Sequence, residues 1–219
     1  MKLSKAQAQE NRTRIVETAS TLFRERGYDG VGVADLMSAA GFTHGGFYNH
    51  FASKSDLMAA AAAAGLEQTA SKTKDIGAAD YVKAYLSRAH RDSPGDGCTM
   101  AALSGDAARQ PPAVKEAFAE GIEKLLASLA GSDGALDEDG RRQARERRIA
   151  VIAQLVGALV LSRSCPDDSP LADEILDICR TVILSGMKRL LDDPGGAVRP
   201  PPVSRQAARA CRNRKNEGK

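Results

Sequence analysis

Between Ala39 and Lys54 the chain gathers side chains that can donate hydrogen bonds to phosphate oxygens or base edges: Thr43, His44, Tyr48, Asn49, His50 and Lys54. They follow Ala39-Ala40-Gly41-Phe42, where small residues and a glycine suit a tight turn between two short helices. Two helices joined in this way divide the labour on a duplex. One braces against the backbone, and the next lays its N-terminal residues against base edges in the major groove. The pattern points to double-stranded DNA. Gly45-Gly46 stands in the same stretch, although each glycine costs roughly 1 kcal/mol relative to alanine within a helix. Bare backbone there would let the helix approach the bases closely. Alternatively, the first turn is frayed and glycine is tolerated.

Other chemistry has less support. His44 and His50 are six positions apart and fall on different helix faces, whereas paired metal ligands need three or four, so no metal site is expected. His90, beside Arg88 and Arg91, reads as a surface residue or a partner of a helix C-terminus. No Ser/His/Asp set, Cys/His set or phosphate-cradling glycine loop occurs at a workable spacing, so neither an enzyme nor a cofactor is expected. Cys98 follows Gly95-Asp96-Gly97 at a predicted helix start, where the dipole favours a reactive thiolate. It is either a sensor of oxidants or electrophiles or a small buried apolar residue. The four cysteines are scattered and show no CxxC pairing, so reduced thiols are expected.

The elements that position these residues are helical by periodicity. A first helix spans Asn11 to Gly27 on Ile15, Val16, Ala19, Leu22 and Phe23, a second Val33 to Ala40, and a third His44 to Phe51 with Phe47 and Phe51 in its core. Ser53-Lys54-Ser55-Asp56 reads as a capping box that opens a fourth helix through Ala59 to Ala64. Further helices are predicted over Asp80 to Arg91, Cys98 to Ala108, Val114 to Leu129, Arg141 to Arg163 and Leu171 to Leu191. The last two are apolar on more surface than one core-facing stripe needs. They predict a homodimer built on Ile152, Leu155, Val156, Leu159, Ile175, Ile178 and Val182. The fold class is all-α, with a helix-turn-helix domain over 1–55, a larger helical domain over 56–193, and a basic tail over 194–219 with almost nothing to bury.

Composition agrees with this reading. Aromatics are 4%, tryptophan is absent, and alanine and leucine recur, a balance that suits helices better than strands. The net charge of +3 is too small to argue nucleic-acid binding by itself. Its distribution matters more: Lys2, Lys5, Arg12 and Arg14 near the start, and Arg205, Arg209, Arg212, Arg214, Lys215 and Lys219 near the end. The tail either adds nonspecific phosphate affinity or is a solvated terminus. No signal peptide is visible and no apolar run approaches the roughly 18 residues of a membrane span, so a cytoplasmic protein is expected.

The run from Gly41 to Leu57, GFTHGGFYNHFASKSDL, resembles the recognition-helix signature of the TetR family, and Arg14-Ile15-Val16, Ala19, Leu22-Phe23 and Gly27-Tyr28 agree with its first helix. The resemblance covers about the first quarter of the chain. It implies a dimeric regulator in which His44, Gly45 and Gly46 lie closest to the bases, while Thr43, Tyr48, His50 and Lys54 hold phosphates. Where Gly32 stands, family members more often carry Ser or Thr, so one phosphate contact is in question. The resemblance also implies a palindromic operator released when a small molecule enters the C-terminal domain and shifts the long fourth helix. Tyr81, Tyr85, Met100, Leu103, Phe118 and Ile122 are the expected walls of that pocket, or else ordinary core. The rival readings are a thiol sensor acting through Cys98 and a structural protein that coats DNA without sequence preference.

Overall fold

The computed structural model describes residues 4–73, 76–130 and 136–192, without the side chains of Thr73 and of 188–192. Among them are nine α-helices, two short 3-10 helices and no strand. The expected tail from 194 onward, with Cys211, lies outside the described residues. Residues up to Ser185 pack as one unit.

Helix α1 (Lys5–Arg26) starts six residues earlier than the apolar pattern suggests. Ser4 caps it by accepting the Gln7 N–H at 3.1 Å. Ile15, Ala19 and Phe23 are fully buried, so the apolar stripe begins only in the third turn. Helix α2 (Val33–Ala39) follows. The next element, His44–Asn49, is a 3-10 helix instead of the α-helix expected to reach Phe51. Two glycines and an asparagine in six residues supply too little helix propensity for a regular turn-and-a-half, and short segments readily tighten to 3-10.

Helix α3 (Lys54–Thr73) opens as predicted, with Ser53 Oγ accepting the Asp56 N–H at 3.1 Å. The single helix expected over 80–91 is two: α4 (Ala78–Tyr85) and α5 (Arg88–Asp92). Ser87 caps α5 by accepting the His90 N–H, which takes the chain out of helix between them. A 3-10 turn at Pro94–Asp96 leads to α6 (Thr99–Ala107), with Cys98 at its N-cap. Then come α7 (Pro112–Ser128), α8 (Glu138–Arg163) and α9 (Pro170–Asp192).

The core of the larger helical part sits where α7 crosses α3. A Cβ on Gly121 would lie 2.4 Å from Leu66 Cδ1 and 2.8 Å from its Cβ, so only glycine permits this approach. Among the described residues no helix is long and apolar enough to cross a membrane.

Candidate nucleic-acid interface

The turn before the recognition helix follows from one backbone requirement. Gly41 has φ 81°, and nothing lies within 4 Å of where its Cβ would be, so glycine is there for the left-handed backbone and not for space. Its N–H donates to Ser38 O at 3.0 Å and the Phe42 N–H to Met37 O at 2.8 Å. These two bonds close α2 in a Schellman motif and aim the chain outward.

What emerges is a small platform. Phe47 and Phe51 are buried and stacked at 5.7 Å, as the sequence predicts for core members. Beside them Thr43, His44, Gly45, Tyr48 and Asn49 are exposed, and His50 and Gly46 half-buried. Tyr48 is 68% exposed, the most exposed large hydrophobic residue among the described residues, and rests edge-on against Phe47 and His44. Thr43 makes no side-chain cap bond to the helix it precedes, which leaves its hydroxyl available. Gly32 likewise caps α2 with no side-chain bond, consistent with the missing hydroxyl there. An added Cβ on Gly45 meets nothing within 4 Å, and one on Gly46 meets only ordinary contacts at 3.5 and 3.7 Å. The protein's own packing therefore does not require either glycine.

Two arginines from α1 fasten the platform. Arg14 lies over the Phe42 ring at 4.5 Å and Arg12 over Phe51 at 4.8 Å. Sequence reading counted both only as part of a basic arm, because cation–π partners leave no periodic trace. Lys54 is more constrained than a free phosphate ligand. Its Nζ donates to Tyr28 O at 2.6 Å, which bolts the start of α3 to the end of α1 and leaves two ammonium hydrogens for another acceptor.

The larger helical part reaches this domain at two points. Asp106 Oδ2, near the end of α6, accepts the Tyr28 N–H at 3.2 Å. Arg24 Nε, buried in α1, donates to Gly95 O at 2.7 Å just before α6. Helix α6 is thus in contact with the helix-turn-helix part at one end and carries Cys98 at the other.

Of the residues expected to wall an effector pocket, Tyr81 and Tyr85 line a cleft of about 250 Å³ with Ile76, His90, Gly97 and Cys98. Met100, Leu103 and Phe118 are buried core, Ile122 is half-buried, and none of the four lines this cleft. His90 lies within the fold and not on its surface. Its Nδ1 donates to Tyr85 O at 2.8 Å and its Nε2 accepts the Cys98 N–H at 3.1 Å, which fixes the neutral tautomer. Burial pushes its pKa below the usual value, and Arg163 and Lys72 add to the depression against the Tyr85 carbonyl. A larger cleft of about 680 Å³ between α1, α5, α6 and α8 holds Arg24, Arg88, Arg91 and Arg163. Their charges are largely met by Asp92, Asp167 and backbone carbonyls.

On α8 and α9 the apolar residues divide. Leu155 and Leu159 belong to the protomer's own core, 4% and 0% exposed, which corrects their assignment to a surface between copies. Ile152, Val156 and Ile175 are half-buried, while Leu161, Leu171, Ile178 and Val182 are more than half exposed.

A tight glycine turn, an exposed short helix and a bracing α1 and α2 together form a helix-turn-helix, the arrangement with which one class of proteins lays a helix in the major groove of DNA. Residues 15–61 match the model of the bacterial regulatory proteins of the tetR family. The same part is 40% identical over 55 residues to the HTH-type transcriptional regulator AcrR of Shigella flexneri, covering 25% of this chain and 26% of that protein. It is 49% identical over 43 residues to the HTH-type transcriptional repressor DhaR of Mycobacterium sp. strain GP1, covering 20% and 22%. The matched part thus spans about a quarter of these curated relatives. The fold extends the likeness. Reduced NemR of E. coli superposes with a TM-score of 0.62 at 18% identity over 80% of this chain and 96% of that one. A TetR-family transcriptional regulator from Agrobacterium tumefaciens gives 0.61 at 20% identity over 81% and 98%. Residues 15–61 are thus similar to the tetR family of regulators, and the rest of the chain shares its fold with solved structures at low identity.

Proposed function

We propose that the protein is a dimeric repressor that binds a palindromic operator and leaves it when a small apolar molecule enters the larger helical part. The observation that carries DNA reading is the exposed platform of Thr43, His44, Tyr48 and Asn49, whose glycines answer no internal packing need. Pairing of copies is supported by the unpartnered Leu161, Leu171, Ile178 and Val182 on α8 and α9, which would place two recognition helices about 34 Å apart or somewhat more. Coupling is supported by α6, which joins the Tyr81 and Tyr85 cleft to the Tyr28 N–H through Asp106.

Selection of bound sequences from a random DNA pool, followed by anisotropy on the winner, tests this reading. A near-palindrome bound at least about a thousandfold more tightly than random DNA is expected. Comparable affinity for all sequences would establish the coating protein instead. A monomer at micromolar concentration in ultracentrifugation would refute the dimer.

A second reading keeps the DNA interface and replaces the apolar effector with chemistry at Cys98. The position of Cys98 at the N-cap of α6, on the cleft, favours it. Operator release by an oxidant or electrophile that Cys98→Ser abolishes is the expected result, and release unchanged in that variant would sink it.

A further inference from the structure

The surroundings of Cys98 contain polar groups that the fold leaves unsatisfied. Tyr85 is 5% exposed, its Oη is out of contact with water, and it makes no hydrogen bond of good geometry although the Cys98 thiol stands against it. The Arg163 guanidinium shares this region: two of its nitrogens donate to the Arg91 and His90 carbonyls, and the third, Nη1, is buried without a partner. A buried unsatisfied donor is destabilising, and native folds keep few of them. Two of them, on Tyr85 and Arg163, stand near one thiol and interact with it. The pKa of Tyr85 is held well above the usual phenol value by burial and then by Cys98, so its hydroxyl stays a donor at any physiological pH. Cys98 itself borders the 250 Å³ cleft, which gives a small solute a route to its sulfur.

We propose that Cys98 is a site of reversible oxidation by a hydroperoxide, and that Tyr85 Oη and Arg163 Nη1 are placed to hold the oxygen added to its sulfur. This rests on the second reading above and names its chemistry. With hydrogen peroxide the step is R–SH + HO–OH → R–SOH + H₂O. The S–O bond forms as the O–O bond breaks, sulfur loses two electrons to the peroxide, and the thiol proton leaves with the departing hydroxide as water. The sulfenyl oxygen then accepts from Tyr85, and on ionisation its charge faces the Arg163 guanidinium.

The test is to treat the full chain with hydrogen peroxide, trap sulfenic acid with dimedone, and map the adduct by mass spectrometry in wild type, Tyr85→Phe and Cys98→Ser. An adduct at Cys98 that falls at least about fivefold in Tyr85→Phe, with an unchanged melting temperature, is expected. Equal labelling of Cys98 in Tyr85→Phe overturns the role of the hydroxyl, and no labelling at Cys98 while Cys165 or Cys179 reacts overturns the site. Operator affinity measured on the same samples separates the two ideas: labelled Cys98 with unchanged DNA binding supports this site and removes the sensor reading.

Discussion

Phe47 and Tyr48 are adjacent in sequence and opposite in situation. Phe47 is 1% exposed within the aromatic stack, and Tyr48 is 68% exposed with only ring edges for company. The same division separates the whole recognition element from the His90 and Cys98 junction. On the platform proposed to face DNA the side chains make few internal bonds, which leaves their donors and acceptors open to another molecule. At the junction each imidazole nitrogen has a partner, and Arg91 alone reaches Ser162, Cys165, Asp92 and Asp167. The exposed platform is held from behind, whereas around His90 the imidazole and the Arg91 guanidinium are each fixed by several partners.

The largest expected break of that contrast is Phe47→Ala. Removing a buried phenyl ring costs about 3–5 kcal/mol, which thermal or urea unfolding would report, and DNA binding would be lost with the fold. Gly45→Ala should do the reverse. Space is open at its Cβ, so stability stays level or rises by up to about 1 kcal/mol, while operator affinity falls about tenfold if the backbone sits against base edges. Unchanged affinity would favour the frayed-turn reading of the glycine pair.

At the junction, pH supplies the probe. The folded-state pKa of His90 is depressed, so the unfolded chain takes up a proton that the folded site resists. Stability is therefore full above about pH 6.5 and declines as pH falls from there toward the folded value. His90→Gln should flatten that part of the curve, and an identical pH profile would show that the ring does not control it. The smallest expected effect is Tyr48→Phe. Deleting one exposed hydroxyl should leave the melting temperature unchanged and weaken operator binding about three- to tenfold, measured by anisotropy at fixed salt.

The helix-turn-helix was legible because its determinants are local: a stripe at Ile15, Ala19 and Phe23, a glycine that must turn left-handed at position 41, and a cap at Ser53. The early start of α1 was written in Ser4-x-x-Gln7, a capping signature without an apolar stripe to draw attention to it. The split after Tyr85 was hidden because the apolar pattern runs across it, and only the Ser87 cap marks the break. Least visible were the buried arginines at 24 and 91. Periodicity assigns arginine to the surface, and its burial depends on carbonyls about seventy residues distant, Gly95 and Ser162, that no local window contains. The division of α8 into core and outer residues was hidden for a similar reason: an apolar side chain does not reveal whether its neighbour comes from the same protomer.

The bond from Lys54 to the Tyr28 carbonyl has a mechanical consequence. It fixes the near end of a 20-residue rod, α3, to the helix-turn-helix part. At 1.5 Å per residue that rod is roughly 30 Å long, so a tilt of about 5° about its far end would carry the domain about 2.6 Å sideways. The groove into which the proposed function places the recognition helix is only about 12 Å wide. A displacement too small to disturb any core contact by more than a fraction of an ångström near the pivot would, at the tip, take the recognition helix out of register with the bases.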